Sequence, residues 1–121
     1  MAYDLTQPQL FLDDRWIERS HRVHREWHEA TLRPEPVLRT DRPWEGTQIT
    51  FFGTALEEPD GAGYRLYYMA YNTTTGERPI CLARSADGVF WEKPDLGLYA
   101  WNGSKQNNIV FQTPRPSDGA T

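Results

Sequence analysis

The chain has 121 residues, with 13 Lys and Arg against 17 Asp and Glu and a formal charge of -4. This length fits one domain of ordinary size, and the acidic balance excludes nucleic acid as the main partner because phosphate binding needs a concentrated basic surface. Apolar runs are only a few residues long, far too short to cross a bilayer, so no membrane partner is expected. Five Trp, six Tyr and five Phe favour β-strands over helices.

Residues 1–45 are interpreted as an irregular amino-terminal extension. The segment LFLDDRWIE at 10–18 alternates over a short stretch and predicts a leader strand. The segment HRVHREWHEATL at 21–32 is compatible with either a helix or an extended strand, because its apolar residues fit the helical spacing and the alternation of a strand equally well. The start MAYDLTQPQL has neither the basic residues nor the apolar stretch of a secretory signal, which favours a cytoplasmic protein.

Three histidines in this extension raise the question of a metal site, since imidazoles at i and i+4 on a helix can chelate zinc. His24 and His28 have that spacing, and His21 precedes them, but the HExxH arrangement is absent. The single cysteine, Cys81, allows neither a thiolate zinc site nor an internal disulfide and reads as a small buried core residue. We therefore expect no metal and no cofactor.

From residue 49 onward, strand-like runs alternate with strong turn signals. The runs are ITFFGTAL at 49–56, YRLYYMAY at 64–71, ICLARS at 80–85 and VFWE at 89–92. Short loops between such runs predict a four-stranded antiparallel meander. Both alternating sets of 64–71 are apolar, so this sheet is expected to stack against further sheets.

After Pro94, the pair Asn102-Gly103 predicts a turn, and the short apolar run at 109–111 is expected to open a second unit. The tail TPRPSDGAT shows no periodicity.

The strongest local motif is SADGVFW at 85–91. The side chains of Ser85 and Asp87 can accept turn amide hydrogens, Gly88 allows a positive φ, and Trp91 can pack back over the hairpin. These four residues are interpreted as builders of a structural turn, because a catalytic carboxylate needs bonding capacity that is still free.

Four segments carry a family resemblance: SADGVFWEKP, LGLYAWNGSKQNNIVF, LFLDDRWIE and PWEGTQITFFGTAL. With them, the chain resembles the amino-terminal part of bacterial five-bladed β-propeller proteins related to glycoside hydrolase families 32 and 43. This resemblance implies an all-β fold, a partial propeller in which 46–93 form one four-stranded blade and 94–121 a linker and the first strand of a second blade. Since a blade takes roughly 40 to 50 residues, 121 residues cannot close a ring, and the remaining blades are expected in a longer parent chain.

The resemblance also implies hydrolysis of glycosidic bonds, a carbohydrate ligand, and carboxylates contributed by several blades. In the segment before the first blade, Glu45 is the first candidate for a site carboxylate, Trp44 for a platform that stacks on sugar, and Asp41 and Arg42 for polar ligands of the substrate. The Asn-Asp-Pro-Asn motif of family 32 is missing. The alternative to a functional role is that Glu45 is a solvated charge in a loop.

The adjacent acids Asp13 and Asp14 are a second candidate for the catalytic carboxylate. The alternative is that they are acids in a loop or at a strand edge without a catalytic role. Glycosidic cleavage needs one protonated and one ionised carboxyl group, and a single blade supplies at most part of that pair. The chain alone is therefore expected to be inactive. A non-catalytic propeller that binds carbohydrate or is purely structural is the rival hypothesis.

Overall fold

In the computed structural model, which describes residues 6–112, the chain divides into two units, Met1–Leu32 and Arg33–Thr121. Within the first unit, residues 6–32 form neither helix nor strand, and none of their side chains is buried. The leader strand predicted at 10–18 is wrong, because the amide of Arg15 binds Asp13 Oδ1 at 3.0 Å and the amide of Ile17 binds the Asp14 carbonyl at 3.0 Å. Aspartate side chains that capture local amides compete with regular structure. At 21–32 both the helix and the strand are wrong.

The second unit confirms the predicted all-β class. Its elements are a three-residue 3-10 helix at Pro43–Glu45 and the strands β1 (Gln48–Thr50), β2 (Ala55–Glu57), β3 (Tyr64–Tyr71), β4 (Ile80–Ser85) and β5 (Ile109–Phe111). They form one antiparallel sheet in the order β1-β3-β4-β5, with β2 also paired to β3. Within residues 6–112, no helix is long and apolar enough to span a membrane.

The core lies on one face of this sheet. Leu66 pairs with Ala83, and Tyr68 pairs with Cys81, so these side chains share a face with Ala70 and Ile109. Five partly buried side chains pack against this core: Leu38, Trp44, Ile49, Trp91 and Trp101. The opposite face of β3 is only half-buried.

The first predicted strand, 49–56, is split into β1 and β2. Residues 51–54 leave the ladder, and the side chains of Phe51 and Phe52 are exposed. A Cβ atom on Gly53 would lie 2.7 Å from the carbonyl oxygen of Tyr67, so only glycine permits this close approach of the two backbones. A glycine inside a strand pattern is the sequence signal of such a break.

The predicted strand at 89–92 is also wrong. Only an isolated bridge between Arg84 and Glu92 forms there. The amides of Val89 and Phe90 bind the carboxylate of Asp87 at 2.8 and 2.9 Å, so they are not available for a ladder. The turn chemistry therefore replaces the strand.

The run Ile109–Phe111 forms a strand, as predicted, but it does not open a separate sheet. It pairs with β4 through Cys81 and Ile80, with an irregular register between these two residues. The turn predicted before it is confirmed: Asn102 has φ 47° and Gly103 φ 80°, and Trp101 and Ser104 exchange both backbone hydrogen bonds. Both values of φ are positive, as a two-residue hairpin turn requires.

Candidate functional site

Glu45 ends the short helix Pro43–Glu45 and is fully buried. The alternative of a solvated loop charge is therefore wrong. Pro43 is favourable at the first helical position because its fixed φ suits the turn. The Glu45 carboxylate reaches back to the amide of Arg42 at 3.0 Å, and the Glu45 amide donates to the Arg42 carbonyl at 3.0 Å.

The carboxylate of Glu45 accepts hydrogen bonds from four different groups. Its Oε1 atom accepts from the Tyr68 hydroxyl at 2.6 Å, and its Oε2 atom accepts from the amides of Asp41 and Arg42 at 2.9 and 3.0 Å. The ammonium group of Lys93 lies 2.7 Å from Oε1 and 2.9 Å from Oε2. A carboxylate offers about four lone-pair sites, so these donors use its full capacity.

Every group that hydrogen-bonds to the Glu45 carboxylate is a donor. The side-chain amide of Asn108 donates to the Tyr68 oxygen at 2.7 Å and to the Leu82 carbonyl at 2.8 Å. Tyr68 thus uses its own proton toward Glu45. Burial, followed by the hydrogen bond to Glu45, raises the pKa of Tyr68 far above its usual range. The hydroxyl therefore stays a donor, and Glu45 has only donors around it.

Lys93 is the counter-ion of this buried carboxylate. Its side chain is 4% exposed, and its ammonium group also donates to the Arg39 carbonyl at 2.7 Å and to Asp41 Oδ1 at 2.6 Å. The ammonium lies 5.8 Å from the centre of the Tyr68 ring. A buried charge needs such partners because desolvation penalises an unpaired ion.

Trp44 connects to the same network through its indole ring. Its Nε1 atom donates to Asn108 Oδ1 at 2.8 Å, and its ring meets that of Trp101 edge to face, with centroids 6.2 Å apart and planes at 64°. Both rings are half-buried. We call these two side chains, together with those of Asp41 and Arg42, the aromatic ledge. Asp41 and Arg42 are exposed, with 3.8 Å between Arg42 Nε and Asp41 Oδ1.

The structure thus brings four sequence candidates together: Asp41, Arg42, Trp44 and Glu45. Sequence reasoning missed Tyr68, Lys93 and Asn108, which complete the network. The available signal was weak: a lysine directly before Pro94, and the polar pair Asn107-Asn108 directly before the apolar β5.

The second pair of candidate carboxylates lies within the first unit. Asp13 is 3.5 Å from the guanidinium of Arg15, and Asp14 is 2.5 Å from that of Arg25. All four side chains belong to residues 6–32, where no side chain is buried. A catalytic role of Asp13 or Asp14 stays a prediction.

The hairpin motif has the bonding expected of a turn. Ser85 Oγ accepts from the amide of Gly88 at 2.8 Å, and Trp91 Nε1 donates to the Gly88 carbonyl at 3.0 Å. Gly88 has φ 75°, a value that glycine adopts without strain. The amides that bind Asp87 lower the pKa of its carboxyl, that of Phe90 most and that of Val89 next. Oδ1 of Asp87 thus accepts hydrogen bonds from within the turn itself.

The network around Glu45 consists of an ion pair with Lys93 and hydrogen bonds from neutral donors. Because donors already occupy the carboxylate, the arrangement suits positioning of the loop better than proton transfer. In the described part of the chain, no three or more His, Cys, Asp or Glu side chains are grouped to hold a metal ion. Comparisons with protein-family models, with curated proteins and with solved structures found no match. A relationship to glycoside hydrolases therefore rests on the sequence resemblance alone.

Proposed function

We propose that this chain is a carbohydrate-recognising part of a β-propeller of the kind related to glycoside hydrolase families 32 and 43. In this proposal the five-stranded sheet belongs to the first blade, and the remaining blades belong to the parent chain. The aromatic ledge contacts the sugar. A cytoplasmic location stays a prediction.

The observation that carries the proposal is the restraint on Trp44. Its ring is half-exposed, yet its Nε1 atom donates to Asn108 and its ring packs edge to face against Trp101. Ligand sites combine aromatic walls with a few polar groups, and Asp41 and Arg42, shortly before Trp44 in the chain, carry exposed polar side chains. A ring that is held before binding loses little conformational freedom when the ligand arrives.

The surroundings of Glu45 define its part in this function. A general acid must carry a proton and a general base must have a free lone pair, and Glu45 has neither while four groups donate to it. Glu45 therefore supports the ledge without acting on the glycosidic bond. Turnover by the parent protein, which needs two carboxyl groups, would depend on other residues.

The occupied carboxylate also supports the second candidate function, a carbohydrate-binding propeller without turnover. Release of nitrophenol from a panel of nitrophenyl glycosides separates the two candidates in the parent protein. Catalysis by carboxylates other than Glu45 predicts turnover that persists in a folded Glu45→Gln variant. A module that only binds predicts no turnover for either protein.

The proposal is tested by titrating the protein with a panel of neutral oligosaccharides while recording tryptophan fluorescence. At least one oligosaccharide should change the emission. Trp44→Ala should lower the affinity for that oligosaccharide tenfold or more, as measured by calorimetry because the substitution also removes a fluorophore. Trp27→Ala is the matched control, because Trp27 is 66% exposed in residues 6–32 and belongs to no network described above. An unchanged affinity in Trp44→Ala, or no response to any sugar, contradicts the ledge as a binding site.

A further inference from the structure

We infer that Lys93 is the positioning residue of the aromatic ledge: its buried ammonium closes the loop 39–45 and thereby sets the orientation of Trp44. This inference rests on the proposed function for its biological meaning, but the orientation of the ring can be measured without any ligand.

The ammonium group of Lys93 is fully engaged with one short loop. Its acceptors are the Arg39 carbonyl, Asp41 Oδ1 and the carboxylate of Glu45, all within 2.6 to 2.9 Å. An ammonium has three donors, so each one has a place in this set. Pro94 biases Lys93 toward an extended backbone, and Lys93 lies 48 positions after Glu45 in the sequence. The contact is therefore a long-range clamp across the loop.

The clamp reaches Trp44 by two routes. On the backbone side, Glu45 binds the amides of Asp41 and Arg42 and so closes the turn in which Trp44 lies. The second route runs through side chains. The Tyr68 hydroxyl donates to Glu45, the Asn108 amide donates to the Tyr68 oxygen, and the Trp44 indole donates to Asn108 Oδ1. Both routes end at the carboxylate that Lys93 neutralises.

Stability alone does not account for an ion pair in this place. A buried salt bridge often contributes no more than well-packed apolar side chains of similar volume. What an apolar pair cannot do is hold the Arg39 carbonyl, the Asp41 carboxylate and Glu45 in one directional arrangement. The geometry therefore points to orientation of the loop as the property that Lys93 supplies.

The test compares Lys93→Met with Lys105→Met in the full chain. Lys105 is exposed, so the control makes the same substitution with the same loss of charge. In the unliganded protein, Lys93→Met should reduce the near-ultraviolet circular dichroism of the tryptophans while the far-ultraviolet signal of the sheet persists. Its affinity for an oligosaccharide that binds the unsubstituted protein should fall tenfold or more. Lys105→Met should change neither property.

Because Lys93→Met leaves a buried carboxylate unpaired, a second variant protects the test against simple unfolding. Lys93→Met combined with Glu45→Gln removes both charges and keeps both volumes. Where Lys93→Met alone unfolds, the double variant should show the folded far-ultraviolet signal, and in either case its near-ultraviolet signal of the tryptophans should stay reduced. A folded single or double variant with the unsubstituted near-ultraviolet spectrum overturns the inference.

The same measurements separate this inference from the proposed function. If no oligosaccharide binds the unsubstituted protein but the near-ultraviolet signal depends on Lys93, the positioning role holds and carbohydrate recognition fails. If oligosaccharide binds equally well to all folded variants, recognition holds and the positioning role fails.

Discussion

Replacing Glu45 with alanine is expected to destabilise the protein more than replacing any exposed acid. The substitution leaves Lys93 buried at 4% exposure without its main counter-ion, and it leaves the Tyr68 hydroxyl and the amides of Asp41 and Arg42 without their acceptor. Removing one partner of a buried ion pair costs about 3 to 5 kcal/mol. Because Asp41 still accepts from Lys93 at 2.6 Å, we place the loss near the lower limit, at about 3 kcal/mol.

Urea denaturation followed by circular dichroism measures this loss. With a slope of about 1.5 kcal/mol/M, a loss of about 3 kcal/mol moves the unfolding midpoint by about 2 M. Total stabilities of about 5 to 15 kcal/mol leave room for this shift in all but the least stable case. Glu45→Gln keeps the volume and one acceptor atom, so its midpoint should fall less. Glu57→Ala at an exposed position is the control. A change within about 0.5 kcal/mol for Glu45→Ala, as at an ordinary surface site, would refute the buried network.

Three further predictions concern the sheet, the hairpin and the thiol. Gly53→Ala should lower the unfolding free energy by about 1 to 3 kcal/mol, because the new Cβ would lie 2.7 Å from the Tyr67 oxygen; a neutral result in urea denaturation would contradict this contact. The pKa of Asp87 is lowered in the folded protein, so its stabilisation is present above the unfolded pKa and is lost as the pH falls through the folded one. Asp87→Asn should therefore flatten the decrease of the melting temperature below about pH 4, and an unchanged acid limb would count against this assignment. Burial raises the pKa of Cys81 to about 12, so iodoacetamide at pH 8 should label Cys81 only after denaturation; labelling of the native protein would show that the thiol is accessible.

The regular part of the fold was predictable from the sequence because its signals are local. Runs rich in aromatic and β-branched residues, bounded by turn residues, predicted β3 and β4 with the bounds that the structure has. The errors at 10–18 and 89–92 share one cause. The side chains of Asp13, within the first segment, and Asp87, just before the second, bind nearby backbone amides, and an apolar pattern does not reveal that competition.

The site was only partly predictable because its contacts are long-range. Asp41, Arg42, Trp44 and Glu45 are consecutive or nearly so, and they could be selected together from one segment. Their partners lie far away along the chain: Lys93 is 48 residues from Glu45, and Asn108 is 64 residues from Trp44. No periodicity connects positions at such separations. The burial of Glu45, whose carboxylate is occupied by hydrogen-bond donors, depends on those partners.

Recognition of carbohydrate by the aromatic ledge is tested most directly by the indole signals in ¹⁵N-¹H correlation spectra. The chain has five tryptophans, each with one indole N–H group, and single substitutions assign the signals. Addition of an oligosaccharide that quenches fluorescence should shift the signals of Trp44 and Trp101 and leave those of Trp16 and Trp27 in place. Shifts confined to Trp16, Trp27 or Trp91, or no shift with any oligosaccharide of the panel, would contradict binding at the ledge.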